Sequence, residues 1–428
     1  MSNAWKKRPL WSLTTVRREV IDPSILGDHV VHYSIPAIDQ HGTGQIEETE
    51  SIQSAKFQLR GGEVLISKLN PRKSRVVHVA SHDLPVVSST EFVALQVNPG
   101  IDSKFLAYML QAESTRQTLD AQVQSVTRSH QRVSPEDVTH LNLELPPLDE
   151  QRRIADFLDV ETARIDRMKA TQEAARRALL ERRAAAVFSA VTGSAIKERI
   201  PSTLAWVGTL PSSWKGVKLG HVARMGSGHT PSRNKPEWWT DCTIPWITTG
   251  EVSQMRADRL EVLTETREKI SETGLLNSSA EIHPSGTVVL CRTAASAGYS
   301  AVMGRDMATS QDLATWTCGP KLDPFFLLWC LRAMRTDLLD RLAMGSTHKT
   351  IYMPDLQGLR IPLPEIREQQ SIVELIRSSN LAVDSAADAI DRQLDLLAER
   401  RQAFITSAVT GQFDVTTARR STPSGGIA

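Results

Sequence analysis

The chain has 428 residues, 40% of them hydrophobic and 23% charged. That is the make-up of a globular protein long enough for two or three domains with cores of their own. No apolar run nears the roughly 18 residues of a membrane span, and Lys6-Lys7-Arg8-Pro9 interrupts the N-terminus before a signal core could form. A formal charge of +1 gives no overall basic excess of the kind many nucleic-acid binders carry, so any basic surface is local or is completed by partners.

Along the chain, Val64-Leu-Ile-Ser67 after Gly62 reads as a buried strand following a turn. A basic turn follows it, Lys68-Leu-Asn-Pro-Arg-Lys-Ser-Arg75, and Phe105 to Leu110 reads as buried helix. After Leu145-Pro-Pro-Leu-Asp-Glu-Gln151 the spacing predicts a long helix with Asp149 as its N-cap. Its expected seam steps by four and three through Ile154, Leu158, Glu161, Ile165, Met168, Gln172, Ala175, Leu179, Arg182 and Ala186, and it ends at Ser189-Ala-Val-Thr-Gly193. A second region of similar size carries strand-like Val288-Val-Leu-Cys291 and an apolar stretch from Phe325 to Leu331. A second helix then opens at Leu363-Pro-Glu-Ile-Arg-Glu-Gln369, with a seam from Ile372 and Ile376 through Ser379, Val383, Ala386 and Ile390 to Arg400 and Phe404, and ends at Ser407-Ala-Val-Thr-Gly411.

The chain therefore repeats itself. Glu150 and Glu368, Arg183 and Arg401, and Gly193 and Gly411 all stand 218 residues apart. Within the globular regions the offset drifts: 209 between Trp5 and Trp214, 224 between Gly62 and Gly286, 221 between Phe105 and Phe326, and 218 again between His130 and His348. A drifting offset means one scaffold with loops of different length. The implied fold class is α+β (mixed): two small α/β domains separated by two long helices that form an antiparallel coiled coil, an internal pseudo-twofold repeat. Boundaries fall at 1–145, 146–198, 199–361 and 362–415, with a flexible tail over 416–428. A coiled coil needs only an apolar pattern, so the shared surface residues at the helix ends, Arg182, Arg183, Arg400 and Arg401, suggest docking of identical partner subunits. A solvated helix face is the other reading of these arginines.

This organisation resembles the specificity subunit of type I restriction–modification systems over the whole chain. In the second globule the resemblance is carried by Leu219-Gly-His-Val-Ala, Ser227-Gly-His-Thr-Pro231, Ile244-Pro-Trp-Ile-Thr-Thr-Gly-Glu251, Asn277-Ser-Ser-Ala280, Gly286-Thr-Val and Gly304-Arg-Asp to Gln311, and at the helix start by Pro362-Leu-Pro364 with Glu368-Gln369. The first globule departs from the pattern, with Trp11-Ser-Leu-Thr14 at its opening and no Ser-Gly-x-Thr-Pro loop. The resemblance implies two target-recognition domains, each reading half of a bipartite, asymmetric site on double-stranded DNA. It also implies two methyltransferase subunits docked on the helices, and restriction/translocase subunits beyond them. S-adenosylmethionine, ATP and Mg would then belong to those partners, the chain itself would carry no cofactor, and its place would be the cytoplasm of a bacterium or archaeon. Two unlike heads on one stiff helix pair should read unlike half-sites roughly one helical turn, about 10 bp, apart.

Candidate DNA contacts are polar and basic residues in loops beside the repeated strands. In the first globule they are Lys68, Asn70, Arg72, Lys73, Arg75, Arg128, His130, Gln131 and Arg132; in the second, Thr230, Arg233, Thr248, Thr249, Arg292, Ser346, His348 and Lys349. Arg and Lys suit guanine and phosphate, Gln and Asn suit adenine, and hydroxyls mostly fix phosphates. The recurring His130 and His348 fit a loop anchor as well as a DNA contact. No GxxxxGK[ST] phosphate loop is present and neither Asn70-Pro71 nor Asn98-Pro99 continues into an aromatic residue. His29 and His32 lack further ligands nearby in sequence, and the four cysteines form no CxxC pair. These absences favour a chain without chemistry of its own over a nuclease or methyltransferase. A coiled-coil scaffold with two protein-binding heads and a DNA reader of a related phage-exclusion system are the alternatives.

Overall fold

The computed structural model describes residues 5–123, 131–344 and 350–415. The chain forms two compact units, and each long helix contributes to both: the first helix passes from one unit to the other between Glu173 and Ala174, the second between Ile390 and Asp391.

In the first unit, Thr14–Arg17, Phe92–Val97, Val64–Ser67 and Val76–His78 lie side by side in that order as an antiparallel sheet. A second sheet runs Val20–Ile21, Lys56–Leu59, Val86–Ser88, His29–Tyr33, Gln45–Glu48, and its one parallel pair sets Val31 opposite Val86. Alternation along a strand sends successive side chains to opposite faces. Val64 and Ile66 pack with Phe105 and Leu106 of helix Ser103–Gln111, while Leu65 packs with Tyr33 and Leu59 of the second sheet. Val64, Leu65 and Ile66 are apolar in succession because both faces of the strand are covered. Lys6–Pro9 pairs with Asn142–Leu145 and closes the domain where the first long helix begins.

Among the described residues the second unit repeats this order, without a counterpart of Val20–Ile21. Ala223–Ser227, Leu313–Cys318, Val288–Cys291 and Ser300–Met303 are neighbours in one sheet, with Val262–Leu263 added at the far edge. Ile282–His283, Met307–Thr309, Ile244–Ile247 and Glu268–Ile270 form the other, again with one parallel pair, Trp246 opposite Ala308. Lys215–Lys218 with Arg360–Leu363 is the equivalent closing pair.

The long helices are Leu148–Thr192 and Ile366–Val409. The first starts one residue before the expected Asp149 cap: the Pro147 carbonyl accepts from the Glu150 and Gln151 amides at 2.9 and 3.0 Å, and Asp149 is a first-turn acid. Within each unit the helices pair antiparallel. Phe157 meets Phe404 edge-on at 6.3 Å and Asp166 pairs with Arg401 at 3.3 Å in one unit, and Arg183 stands 3.7 Å from Asp384 in the other. Ile154, Leu158 and Ile165 are buried as expected, but the seam then slips by one position. Arg183 and Val187 are inside where Arg182 and Ala186 were expected, and Asn380 is inside in place of Ser379. A straight helix drifts by about 20° per heptad, so the four heptads from Ile154 to Arg183 approach the 100° that separates adjacent residues. The slip at Asn380, about one heptad past Ile372, does not come from this drift.

The repeated helix ends have an internal cause. Val191 and Val409 are fully buried, in the cores of the second and first units respectively. Thr192 and Thr410 donate their hydroxyls back to Phe188 and Thr406 carbonyls at 2.7 Å. Gly193 and Gly411 take left-handed conformations, φ 60° and 72°, with Trp214 and Trp5 packed over them. The last turn of the second helix is thus part of the first globule's core, where burial of Ile405 and Val409 contributes roughly 1.5–3 kcal/mol each.

Candidate nucleic-acid interface

The segments after the two central strands have the same frame. In the first unit the Lys68 amide donates to the Glu91 carbonyl at 2.9 Å and the Lys68 carbonyl accepts from the Val133 amide at 3.0 Å. In the second, Arg292 donates to the Asp312 carbonyl at 3.0 Å and accepts from Ile351 at 2.8 Å. These residue pairs stand at the offsets the sequence shows, 224, 221 and 218. A short antiparallel bridge marks the same join in each, Leu69 with Arg132 and Thr293 with Thr350.

In the first unit this frame gathers Lys68, Asn70, Arg72, Lys73, Gln131 and Arg132. Asn70 donates its amide to the Gln131 carbonyl at 2.9 Å and, like Ser74, adopts a left-handed backbone, which tightens the turn Pro71–Lys73. Arg72 pairs with Asp120 at 2.8 Å, and Arg132 with Glu91 at 3.0 Å, both arginines more than half exposed. Such exposed pairs contribute about 1 kcal/mol or less, so a phosphate can replace either acid at small cost. Arg75 is different: it is buried, forks the Asp39 carboxylate at 2.5 and 2.7 Å, and donates to the Leu69 carbonyl at 3.2 Å. That fork holds the Asp39 carboxyl below its ordinary range, and Arg75 braces the turn from beneath.

In the second unit Arg292 donates Nε and Nη2 to the Gln311 carbonyl at 2.9 and 2.6 Å, while Thr230 donates to Gln311 Oε1 at 2.6 Å. Gln311 therefore joins two candidates and belongs with them, a role its sequence position alone did not single out. Thr248 caps the turn Thr249–Glu251 through the Gly250 amide at 3.2 Å. Arg233 lies 3.9 Å above the Trp239 ring and pairs with Glu268 at 2.5 Å, a cation–π seat that fixes its direction. Arg128, His130, Ser346, His348 and Lys349 lie outside the described residues.

The helix arginines divide as well. Arg182 and Arg400 are exposed. Arg183 is buried and donates to the Ala257 and Asp258 carbonyls at 2.9 and 3.0 Å; Arg401 is half-buried on Asp166. His32 is engaged by Glu47 at 2.9 Å, and among the described residues no three His, Cys, Asp or Glu side chains gather as metal ligands would. Nor is any described helix long and apolar enough to cross a membrane.

Beneath the Ser227–Pro231 loop, buried His283 has its Nε2 3.3 Å from the Ser227 carbonyl and its Nδ1 3.5 Å from Thr315 Oγ1. Burial pushes its pKa below the ordinary 6.5. The unfolded chain then binds a proton that the folded chain refuses, so stability falls as pH drops below about 6.5. Melting curves from pH 7.5 to 5.5 are expected to show this loss in the wild type. They should flatten in His283→Gln, and an unchanged slope in that variant would remove His283 from the account.

Two mixed domains with matching strand neighbours, each with a basic residue, Lys68 or Arg292, directly after its central strand and each packed with its own stretch of the paired long helices, define a duplicated recognition protein. The sequence profile of the type I restriction modification DNA specificity domain matches residues 22–176 and 211–381, one stretch in each half, and the chain belongs to that family. It is 25% identical over 187 residues to the EcoR124I/EcoR124II specificity subunit of Escherichia coli, a match covering 43% of this chain and 44% of the relative, so less than half of that subunit's length is spanned. It is 19% identical over 402 residues to the putative MjaX specificity subunit of Methanocaldococcus jannaschii, covering 89% of this chain and 85% of the relative. In fold it is similar to a chain from a study of complex assembly and conformational transition of the type I R-M system, with a TM-score of 0.73 at 19% identity, covering 96% of this chain and 99% of that one.

Proposed function

We propose that this chain is the non-catalytic DNA-sequence specificity subunit of a type I restriction–modification complex, acting in the cytoplasm. The observation that carries this reading is the doubled recognition frame: one scaffold, used twice, with different residues in its loops. A scaffold that stays fixed while its loops differ suits the recognition of two unlike half-sites. We assign residues 1–145 and 199–361 to the two recognition domains, 146–198 and 362–415 to the helical parts, and 416–428 to a tail. Lys68, Asn70, Arg72, Lys73, Gln131 and Arg132 would face one half-site. Thr230, Arg233, Thr248, Thr249 and Arg292, joined by Gln311, would face the other. Arg128, His130, Ser346, His348 and Lys349 would complete the two sets, with Arg75 supporting its turn. Exposed Arg182 and Arg400 lie on the helix surface where two methyltransferase subunits would dock, Arg183 and Arg401 acting from below, and restriction subunits would join that assembly. S-adenosylmethionine, ATP and Mg would be bound by those partners.

The test is modification-sensitive sequencing of DNA from a methylation-free host that expresses this chain with its cognate methyltransferase subunit. An asymmetric bipartite motif carrying N6-methyladenine, absent when this chain is omitted, is the expected result. An assembled complex that leaves no new methylation would reject the reading in favour of a scaffold.

A further inference from the structure

One cleft of the second unit holds an excess of arginine that the recognition loops do not use. It measures about 520 Å³ and opens between helix Pro324–Ala333, the loop after Met255 and the paired long helices. Six arginines line it, at 176, 183, 256, 259, 332 and 335, against two acids, Asp258 and Asp384. Asp258 is already forked by Arg335 at 2.9 and 2.6 Å. Asp384 stands 3.5 and 3.7 Å from Arg259 and Arg183, and Arg259 also pairs with Asp388 at 2.8 Å.

The floor is fixed and positive. Arg183 and Arg332 are more than nine-tenths buried and spend their terminal nitrogens on backbone carbonyls, the Asp258 carbonyl accepting from both at 3.0 and 2.8 Å. The Nε of each has no hydrogen-bond acceptor. Burial pulls Arg332 down to about 10, even with the Asp258 carboxylate 3.5 Å from its Nε. Holding the loop accounts for Arg183, Arg332 and Arg335, but not for exposed Arg256 on the rim. A cleft with a net excess of one sign of charge concentrates its field on a ligand of the other.

We propose that this cleft is a phosphate anchor for duplex DNA, gripping a backbone phosphodiester beside the bases that the second domain reads. The proposal rests on the DNA reading given above. A guanidinium fork fits phosphate and carboxylate alike, and two observations favour DNA. The stretch matched to the DNA specificity domain contains Arg256, Arg259, Arg332 and Arg335. The rim loop also follows directly from Thr248 and Thr249 through the turn Thr249–Glu251 and the helix Val252–Met255. A phosphate contact carries no base information, so the anchor strengthens binding to every sequence alike.

The experiment compares wild type, Arg256→Gln and Arg256→Gln/Arg259→Gln, as full chains assembled with the methyltransferase subunit. Affinity for a target duplex and for a scrambled duplex is measured between 50 and 200 mM salt. Removing one arginine–phosphate pair should flatten the log–log salt slope by roughly 0.9. The double variant is therefore expected to drop one to two units of slope and about tenfold in affinity at the lowest salt, equally for both duplexes. The single variant, which breaks no ion pair in the fold, should drop about one unit. Unchanged slope and affinity in both variants overturn the anchor, as does a changed preference between the duplexes, which would make the arginines base readers. Normal DNA binding with loss of the methyltransferase subunit would assign the cleft to an acidic partner surface. Inorganic phosphate that raises the Tm of wild type alone, with the DNA curves unchanged, would assign it to a free anion. A wild type without salt-dependent DNA binding would instead reject the DNA reading itself.

Discussion

Gln369→Leu is expected to lower the stability of the second unit by about 3 kcal/mol or more, and Gln151→Leu to do the same in the first. Gln369 is fully buried; its Oε1 accepts from the Asp323 amide at 2.8 Å and its Nε2 donates to the Lys321 and Pro364 carbonyls, both at 2.9 Å. Gln151 makes the equivalent contacts, accepting from Asp102 at 2.9 Å and donating to Pro146 at 2.9 Å. Asp102 and Asp323 are themselves N-caps, of Ser103–Gln111 and Pro324–Ala333. One amide thus ties the start of each long helix to the start of the helix that packs on the central sheet. Leucine fills the space but strands buried backbone groups, each at about 1–3 kcal/mol. For units of this size that means a fall in Tm of roughly 6–12 °C. Gln369→Glu, which keeps one acceptor, should recover part of the loss only when protonated, at low pH. A Tm within about 2 °C of wild type for both leucine variants, below the smallest shift expected here, would show that these amides do not hold the helix starts.

The helix-end glycines should separate in a way their matching sequences do not suggest. A Cβ on Gly193 would lie 2.5 Å from Pro211 Cγ and 3.0 Å from Trp214 Cη2, whereas the nearest atoms to one on Gly411 are those of the Trp5 ring, at 3.2 Å and beyond. Both positions carry the cost of a side chain at positive φ, about 1 kcal/mol. Gly193→Ala adds a collision with a proline held in the strand Val207–Pro211, worth roughly a further 1–3 kcal/mol. Gly411→Ala asks for a shift of a few tenths of an ångström in one ring. We expect Gly193→Ala to cost about 3 kcal/mol and Gly411→Ala about 1 kcal/mol by chemical denaturation. Equal costs would mean that backbone conformation alone governs both caps.

Much of the fold is legible in the sequence. The drifting offsets of 209, 224, 221 and 218 became two domains of matching strand order, because loop insertions shift numbering without disturbing strand neighbours. The apolar runs at Val64 and Val288 became central strands. The basic turn after the first and Arg292 after the second came to lie beside Arg132 and Thr350, a contact that only the structure shows. What misled was the heptad. Read at about 3.5 residues per turn, the pattern placed Arg182 at the seam; the helix, turning at about 3.6, buried Arg183. The near-identity of the helix ends suggested a shared partner, and much of it proved to be the internal demand of valine, threonine and glycine at each domain seat.

By itself the sequence determined that there are two domains, that they share one scaffold, and that two long helices accompany them, because periodicity, turn residues and self-similarity are local or additive signals. Only the tertiary structure decided which arginines are spent on carbonyls and acids, and which remain exposed. Arg75 and Arg183 read in sequence like Arg72 and Arg182, and they differ only in what the fold places around them: Asp39 and the Leu69 carbonyl for one, the Ala257 and Asp258 carbonyls for the other. The partners that set these two apart include Asp39, 36 residues from Arg75, and Ala257, 74 residues from Arg183, and no spacing rule along the chain encodes those distances.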